Sequence, residues 1–469
     1  MEPMSTLSVE DPQVWSALFG PGRARLGERL AAAGGAAPVG LRAAWLVEVE
    51  RLPHEADRLL QREPLHDPGL RALLASACAL MYDAAAAAAQ YAGQALQHHP
   101  DPLHPLHGWA ARLMGEAQLT LGWPGRAQPP LQTALRVAHR DGLAVLQLDS
   151  LRVLAQAHDE LSDDAQRDAA LAAAMPLLLA HADLPAADSL RRLQARLACR
   201  AALLGAPWPA LEEPAGRHPL AQRLGACWQD WLSGAYDVSA EVADLRQLQR
   251  QQFWPLKWQV DLGQLEGALA ARVSAPVSTP VLAPDAPEGL HRLHAAVIDA
   301  GHARLAGRAV ETGALAAELA MRGLQRLAAR LAIVQAGGVE DLAAWWRQRG
   351  RDPVDALWLA PVLLPLWPGL LSLPDACRGA DEQQALRRLG ERLTGPRSVA
   401  PASVPAPAEL TPREWQVLQL IAQDWSNAQI AARLFVSETT VKTHINRVYG
   451  KLGLRDRREA VLRARALGA

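Results

Sequence analysis

Cysteine is scarce in this chain: Cys78, Cys199, Cys227 and Cys377 are the four in 469 residues, and no two stand in a Cys-x-x-Cys spacing. That excludes a disulfide framework and a zinc ribbon, and it fits buried thiols in a reducing compartment. Aromatic residues make up 5% of the chain, and Val, Ile, Tyr and Phe rarely alternate with polar neighbours, so strand signals are lacking. There is no G-x-x-x-x-G-K-[ST] loop, no G-x-S-x-G elbow and no H-E-x-x-H pair. Phosphate-cradling and hydrolytic chemistry therefore have no visible seat, and neither enzymatic activity nor a cofactor is expected. The opening MEPMSTLSVEDPQVW is acidic and has no apolar stretch, which speaks against a secretory signal and for a cytoplasmic protein. The one long apolar run, LWLAPVLLPLWPGLLSL at 357–373, is interrupted by Pro361, Pro365 and Pro368. It reads as a buried, broken helix pair rather than a membrane span.

What is present in quantity is Ala, Leu, Arg, Gln and Glu, within a chain that is 50% hydrophobic. These are helix formers, and the expected fold class is all-α. Amphipathic helices are expected over 84–97, 105–121, 125–138, 143–161 and 165–179, broken at HPDP, GWPG, RDG and SDD. Equivalent helices recur at about 39 residues, as at Pro105 and Leu143, which is the period of a TPR-like helical-hairpin repeat. The small residues Gly115, Ala127 and Ala134 would let neighbouring helices approach closely. Further helices are expected over 187–204, 219–232, 241–252, 290–300, 303–321 and 324–335, without a clean period.

Proline-rich stretches at 273–289 and 395–409 divide the chain, since proline removes amide donors and crowds the preceding turn. The expected organisation is a helical-repeat region (1–272), a connector (273–289), a second helical region (290–394), a Pro/Ala-rich linker (395–409) and a tail domain (410–469). Residues 409–469 hold ten Lys/Arg against six Asp/Glu, whereas the chain as a whole has a formal charge of -1. A mildly basic tail follows an acidic body.

Two features of the body invite a site. HHPDPLHPLH carries His98, His99, His104 and His107, but prolines separate the imidazoles and no acid or thiol completes a ligand set, so no metal is expected. Trp228 with Trp231, Trp254 with Trp258, and Trp345 beside Trp346 are close pairs. They read first as packing, and secondarily as an aromatic surface for a ligand or partner.

The tail is punctuated by helix starts. Thr411 precedes Pro412 and Glu414, Ser426 precedes Gln429, Ser437 opens a third segment, and Asp456 precedes Glu459. The core expected for these helices is Trp415, Leu418, Ile421, Ile430, Leu434, Val436, Val441, Ile445, Val448 and Leu452. With that stripe turned inward, the 100° step per residue sends Lys442, Thr443, Asn446 and Arg447 to the opposite side. Two short helices separated by FVS, the second with an outward Lys/Thr/Asn face, meet the geometry of a helix-turn-helix. Lys442 and Asn446 suit guanine acceptors and an adenine edge, Thr443 a thymine methyl, and Arg447 a phosphate.

The stretch from Leu410 to Val461, LTPREWQVLQLIAQDWSNAQIAARLFVSETTVKTHINRVYGKLGLRDRREAV, resembles the DNA-binding domain of the LuxR family of bacterial transcription regulators. The resemblance runs through Leu410, Arg413, Glu414, Val417, Leu418, Ser426, Asn427, Ile430, Ala431, Leu434, Ser437, Thr440, Val441, Lys442, His444, Lys451, Leu452, Arg457, Ala460 and Val461. It implies a four-helix domain with Lys442, Thr443 and Asn446 facing the groove. It also implies Ser426, Asn427 and Thr440 at phosphates, and a last helix (457–467) through which DNA-bound dimers pair. The family usually has glycine where this chain has Asp424. The helical body with this tail also resembles the large MalT-type subclass, without its ATP-binding module, so the chain would be a shortened relative or a fragment. The function implied is sequence-specific binding of duplex DNA by a homodimer, controlled through a small-molecule or protein effector on the body. The alternative is a helical-repeat interaction scaffold with a degenerate or dimerising tail.

Overall fold

A computed structural model describes residues 7–20, 22–180, 223–224, 226–227, 238–251, 254, 256–272, 280–349, 412–422, 425–434, 438–452 and 460. Among these residues every regular element is a helix, and the fold is all-α. The chain divides into two compact units, Met1–Leu393 and Thr394–Ala469. The helices expected over 187–204, the one over 219–232 save for four residues, the apolar run at 357–373 and the linker at 395–409 lie outside the described residues.

The first unit begins with α1 (Pro12–Phe19), α2 (Arg23–Ala33) and α3 (Val39–Trp45). A single π-helical turn, Leu46–Glu50, and α4 (Pro53–Arg62) follow. Then come three antiparallel pairs: α5 (Pro68–Met81) with α6 (Ala85–His98), α7 (Pro105–Thr120) with α8 (Pro124–Arg140), and α9 (Ala144–Glu160) with α10 (Asp164–Ala180). Their starts are chemical. The Asp67 carboxylate accepts from the amides of Gly69 and Leu70, and His104 Nδ1 from that of Leu106. Pro68, Pro105 and Pro124 stand in the first turn, where no amide donor is needed.

The repeat is plainest in how the first helix of each pair ends. The amides of Ala84, Trp123 and Asp163 each bond the carbonyl five residues back, in Ala79, Gln118 and His158. The residue before each donor, Asp83, Gly122 or Ser162, has a positive φ of 57°, 83° or 57°. This is a Schellman stop, repeated at the expected spacing of about 39 residues. The small residues do what their size suggests: a Cβ on Gly115 would lie 2.4 Å from Leu131 Cγ, and Ala127 and Ala134 are fully buried.

Later helices of the unit are α11 (Ser239–Gln251), α12 (Leu256–Arg272), α13 (Leu290–Leu305), α14 (Gly313–Arg322), α15 (Gln325–Gln335) and α16 (Val339–Arg349). The break expected after residue 300 falls instead at 306–312, because α13 runs on through Gly301 to Leu305. It stops at Gly307, whose φ of 69° ends it as the others end. In the described part of the proline-rich connector, Val281, Leu282 and Ala286 are buried against Val260, Ala295 and Ile298.

These later helices dock along the row of repeat turns. Asp83 caps α12 by accepting from the Leu256 amide at 3.1 Å. Arg322 donates to the Leu121 carbonyl and lies over Trp123, which Arg126 also covers. Arg326 bonds Asp159 and Asp164, and His294 Nε2 lies 2.9 Å from Glu160. Leu119, Leu131, Val153 and Leu154 share one apolar core with Leu290, Leu293, Leu319 and Leu327. At the other end α1 lies on α7 and α9, with Trp15 and Phe19 against the fully buried Trp109. Every residue of α7 and α9 is buried or half-buried, so neither helix presents an open face.

Inside that sheath runs a chain of charges. Glu48, delivered by the π turn, accepts from Trp109 Nε1 at 2.9 Å and pairs with Arg112 at 2.8 Å. Arg112 also pairs with Glu116, and Glu116 with Arg152. Each buried charge is thus matched, as desolvation requires.

Candidate nucleic-acid interface

The second unit holds α17 (Pro412–Ala422), α18 (Asn427–Leu434) and α19 (Glu438–Leu452), with α19 packed on both of the others. The start of α18 is a capping box: the Ser426 amide donates to Gln429 Oε1 at 2.8 Å, and the Gln429 amide to Ser426 Oγ at 3.2 Å. This fixes the entry of α18, with the Ser426 hydroxyl oxygen as acceptor.

The core joins Val417, Leu418, Leu420 and Ile421 of α17, Ile430, Ala431 and Leu434 of α18, and Val441, Ile445 and Val448 of α19. Ala460, from the segment expected as the last helix, is also buried. Trp415 and Leu452, expected in this core, are only half-buried. The reason is register. The inward stripe of α17 is 414, 417, 418 and 421, so Glu414 at 2% exposure holds the place given to Trp415, which falls about 100° away. The Glu414 carboxylate accepts from Lys451 Nζ at 2.6 Å. Sequence reasoning missed this pair, because an acid in a helical stripe is not counted as core. The i, i+3, i+4, i+7 pattern running through Glu414 is the signal that would have found it.

On α19 the residues Lys442, Thr443, Asn446 and Arg447 are exposed and adjacent, on the side away from Val441, Ile445 and Val448. His444 and Tyr449 are half-buried between the two faces. Ser426 is exposed and Asn427 half-buried at the start of α18. The side chains of Thr440 and Val436, and the remainder of the last helix, lie outside the described residues. The unit therefore carries on one helix a cation, a hydroxyl with a methyl, a carboxamide and a guanidinium within one turn and a half. Such a set can donate to base edges and phosphates together.

The body offers less. Trp254 is 2% exposed and meets the edge of half-buried Trp258 at 6.2 Å, which makes this pair packing rather than a surface. Trp228, Trp231 and the side chains of Trp345 and Trp346 lie outside the described residues. The histidine loop is engaged with its own backbone: His104 caps α7, His107 Nδ1 lies 2.7 Å from the His99 carbonyl, and the rings of His99 and His104 stack. Burial, more than any neighbour, pushes His99 and His104 below the usual imidazole range. Among the described residues no group of three metal-ligating side chains occurs, and no helix is long and apolar enough to cross a membrane.

Residues 408–464 match the family model of bacterial regulatory proteins, luxR family. Over 58 residues the chain is 57% identical to the HTH-type transcriptional regulator MalT of Serratia proteamaculans (strain 568), a stretch that is 12% of this chain and 6% of that protein. The match thus spans a small fraction of that relative's length. No solved structure matches the chain. The match falls on the three helices that build the exposed face of α19, and the helix-turn-helix unit of this chain belongs to the luxR family of bacterial regulatory proteins.

Proposed function

We propose that this chain is a sequence-specific, DNA-binding transcription regulator acting in the cytoplasm. Its helical body receives a small-molecule or protein effector and controls how the helix-turn-helix unit is presented or paired. The observation that carries the reading is the placement of Lys442, Thr443 and Asn446 together on the exposed side of α19, opposite its buried stripe. A helix of that kind enters a major groove with its polar side towards base edges. Lys442, Thr443 and Asn446 read bases; Arg447, Ser426, Asn427 and Thr440 hold phosphates and set the register. One unit buries little area and neutralises few phosphates, so tight binding is the property of a homodimer.

Selection of duplexes from a random pool with the full chain tests this. The expected result is a recovered motif, with half-sites if a dimer binds. Lys442→Ala should then relax preference at one position by about 1–3 kcal/mol, while Arg447→Ala weakens all sequences alike. Recovery of no motif, or identical binding with both residues substituted, defeats the reading. An interaction scaffold is less well supported, because α7 and α9, where a repeat protein would present a groove, are covered by the chain's own α1 and later helices.

A further inference from the structure

Three branched aliphatic residues, Val441, Ile445 and Val448, form the inward stripe of α19. A stripe that narrow sets which side of the helix faces in, but apolar packing is non-directional and does not by itself fix the rotation of a helix about its axis closely. For side-chain tips about 6 Å from the axis, a rotation of about 20° is a displacement of about 2 Å. A hydrogen bond to a base edge does not survive such a shift.

The Glu414–Lys451 pair adds a directional contact that apolar packing lacks. Lys451 lies nine residues after Lys442, which at 100° per residue places it about 180° around the helix. Asn446 is five residues before Lys451, about 140° away by the same step. Arg447 and Val448 lie about 40° and 60° from Lys451 on its two sides, so Lys451 stands on the flank of α19, and tying it to the first turn of α17 fixes the rotation of the face that carries Lys442 and Asn446. The tie is at 2.6 Å, with the Glu414 side chain 3% exposed and that of Lys451 37% exposed. A carboxylate so deep holds its cation, since a buried charge that loses a partner is costly in desolvation.

We propose that Glu414, acting through Lys451, is a positioning residue for base reading: it sets the rotation of α19 about its own axis. This rests on the DNA-binding reading above. The test uses the full chain, a duplex that the wild-type chain selects from a random pool, and a scrambled duplex of the same length and composition. Glu414→Gln should lower the ratio of affinities, selected over scrambled, at least tenfold while affinity for the scrambled duplex stays within about twofold. Lys451→Arg, which keeps the cation, should preserve the ratio. Helix content by circular dichroism is measured on each variant. An unchanged ratio in Glu414→Gln overturns the proposal. So does a fall in both affinities with loss of helix content, which assigns the pair to folding alone. A wild-type chain that binds both duplexes alike fails the DNA-binding reading itself, and this proposal with it.

Discussion

At the scale of single residues, the chain shows how one backbone conformation is met by different side chains for different reasons. Asp83, Gly122 and Ser162 hold equivalent left-handed positions, yet only glycine takes that conformation without steric cost. Ser162 is exposed, and Ser162→Gly should stabilise the first unit by about 0.5–1 kcal/mol in urea unfolding. The same change at Asp83 should give less or reverse sign, because it removes the acceptor that caps α12. The breaks at GWPG and SDD were readable as helix stops; that Asp83 and Ser162 take a left-handed backbone was not, since Asp and Ser mark starts as often as stops. Glu414 is the same lesson in the second unit. Its type says surface, whereas its position in the α17 stripe and the reach of Lys451 make it interior.

At the scale of elements, five of the six paired helices, α6 to α10, were legible to within two residues, because Pro, Asp and Gly punctuate them and their apolar positions keep a 3.6-residue period, whereas α5 was not singled out. Close approach of α7 and α8 follows from Gly115. Gly115→Val would drive its side chain into Leu131 and should destabilise the first unit by about 1–3 kcal/mol, read as a lower urea midpoint. The misplaced break between α13 and α14 has an equally local cause. Gly301 sits in a helix whose packing tolerates it, and the stop belongs to Gly307, where φ is positive.

At the scale of the whole molecule, charge buried in the first unit ties its stability to pH. Burial alone would raise the Glu116 and Glu160 carboxyls, but Arg152 and Arg112 beside the first, and His294 and Arg330 beside the second, outweigh it and hold both at about 2. Their contribution is full above the ordinary carboxylate value near 4.5 and is lost as pH falls towards 2. Burial, with His294 and Lys257 near one and Arg246 and Arg308 near the other, lowers His291 and His302 from 6.5 to about 4. The unfolded chain therefore takes up those two protons first, and stability falls as pH drops from 6.5 to 4. Urea midpoints of the body should decline from pH 7 to pH 4 and more steeply below, and a midpoint flat across that range would contradict the buried network.

What the sequence determined by itself was local: helix rather than strand, where most helices start and stop, the 39-residue period, and the side of α19 left for solvent. Each of these follows from side chains within a few turns of one another, where periodicity and capping act. Only the tertiary structure decided which charges are interior, that α1 and the later helices cover α7 and α9, and that Glu414 meets Lys451 across 37 positions. Those facts depend on contacts between residues far apart in the chain, and their energy comes from matching buried groups in space, which no window of sequence contains.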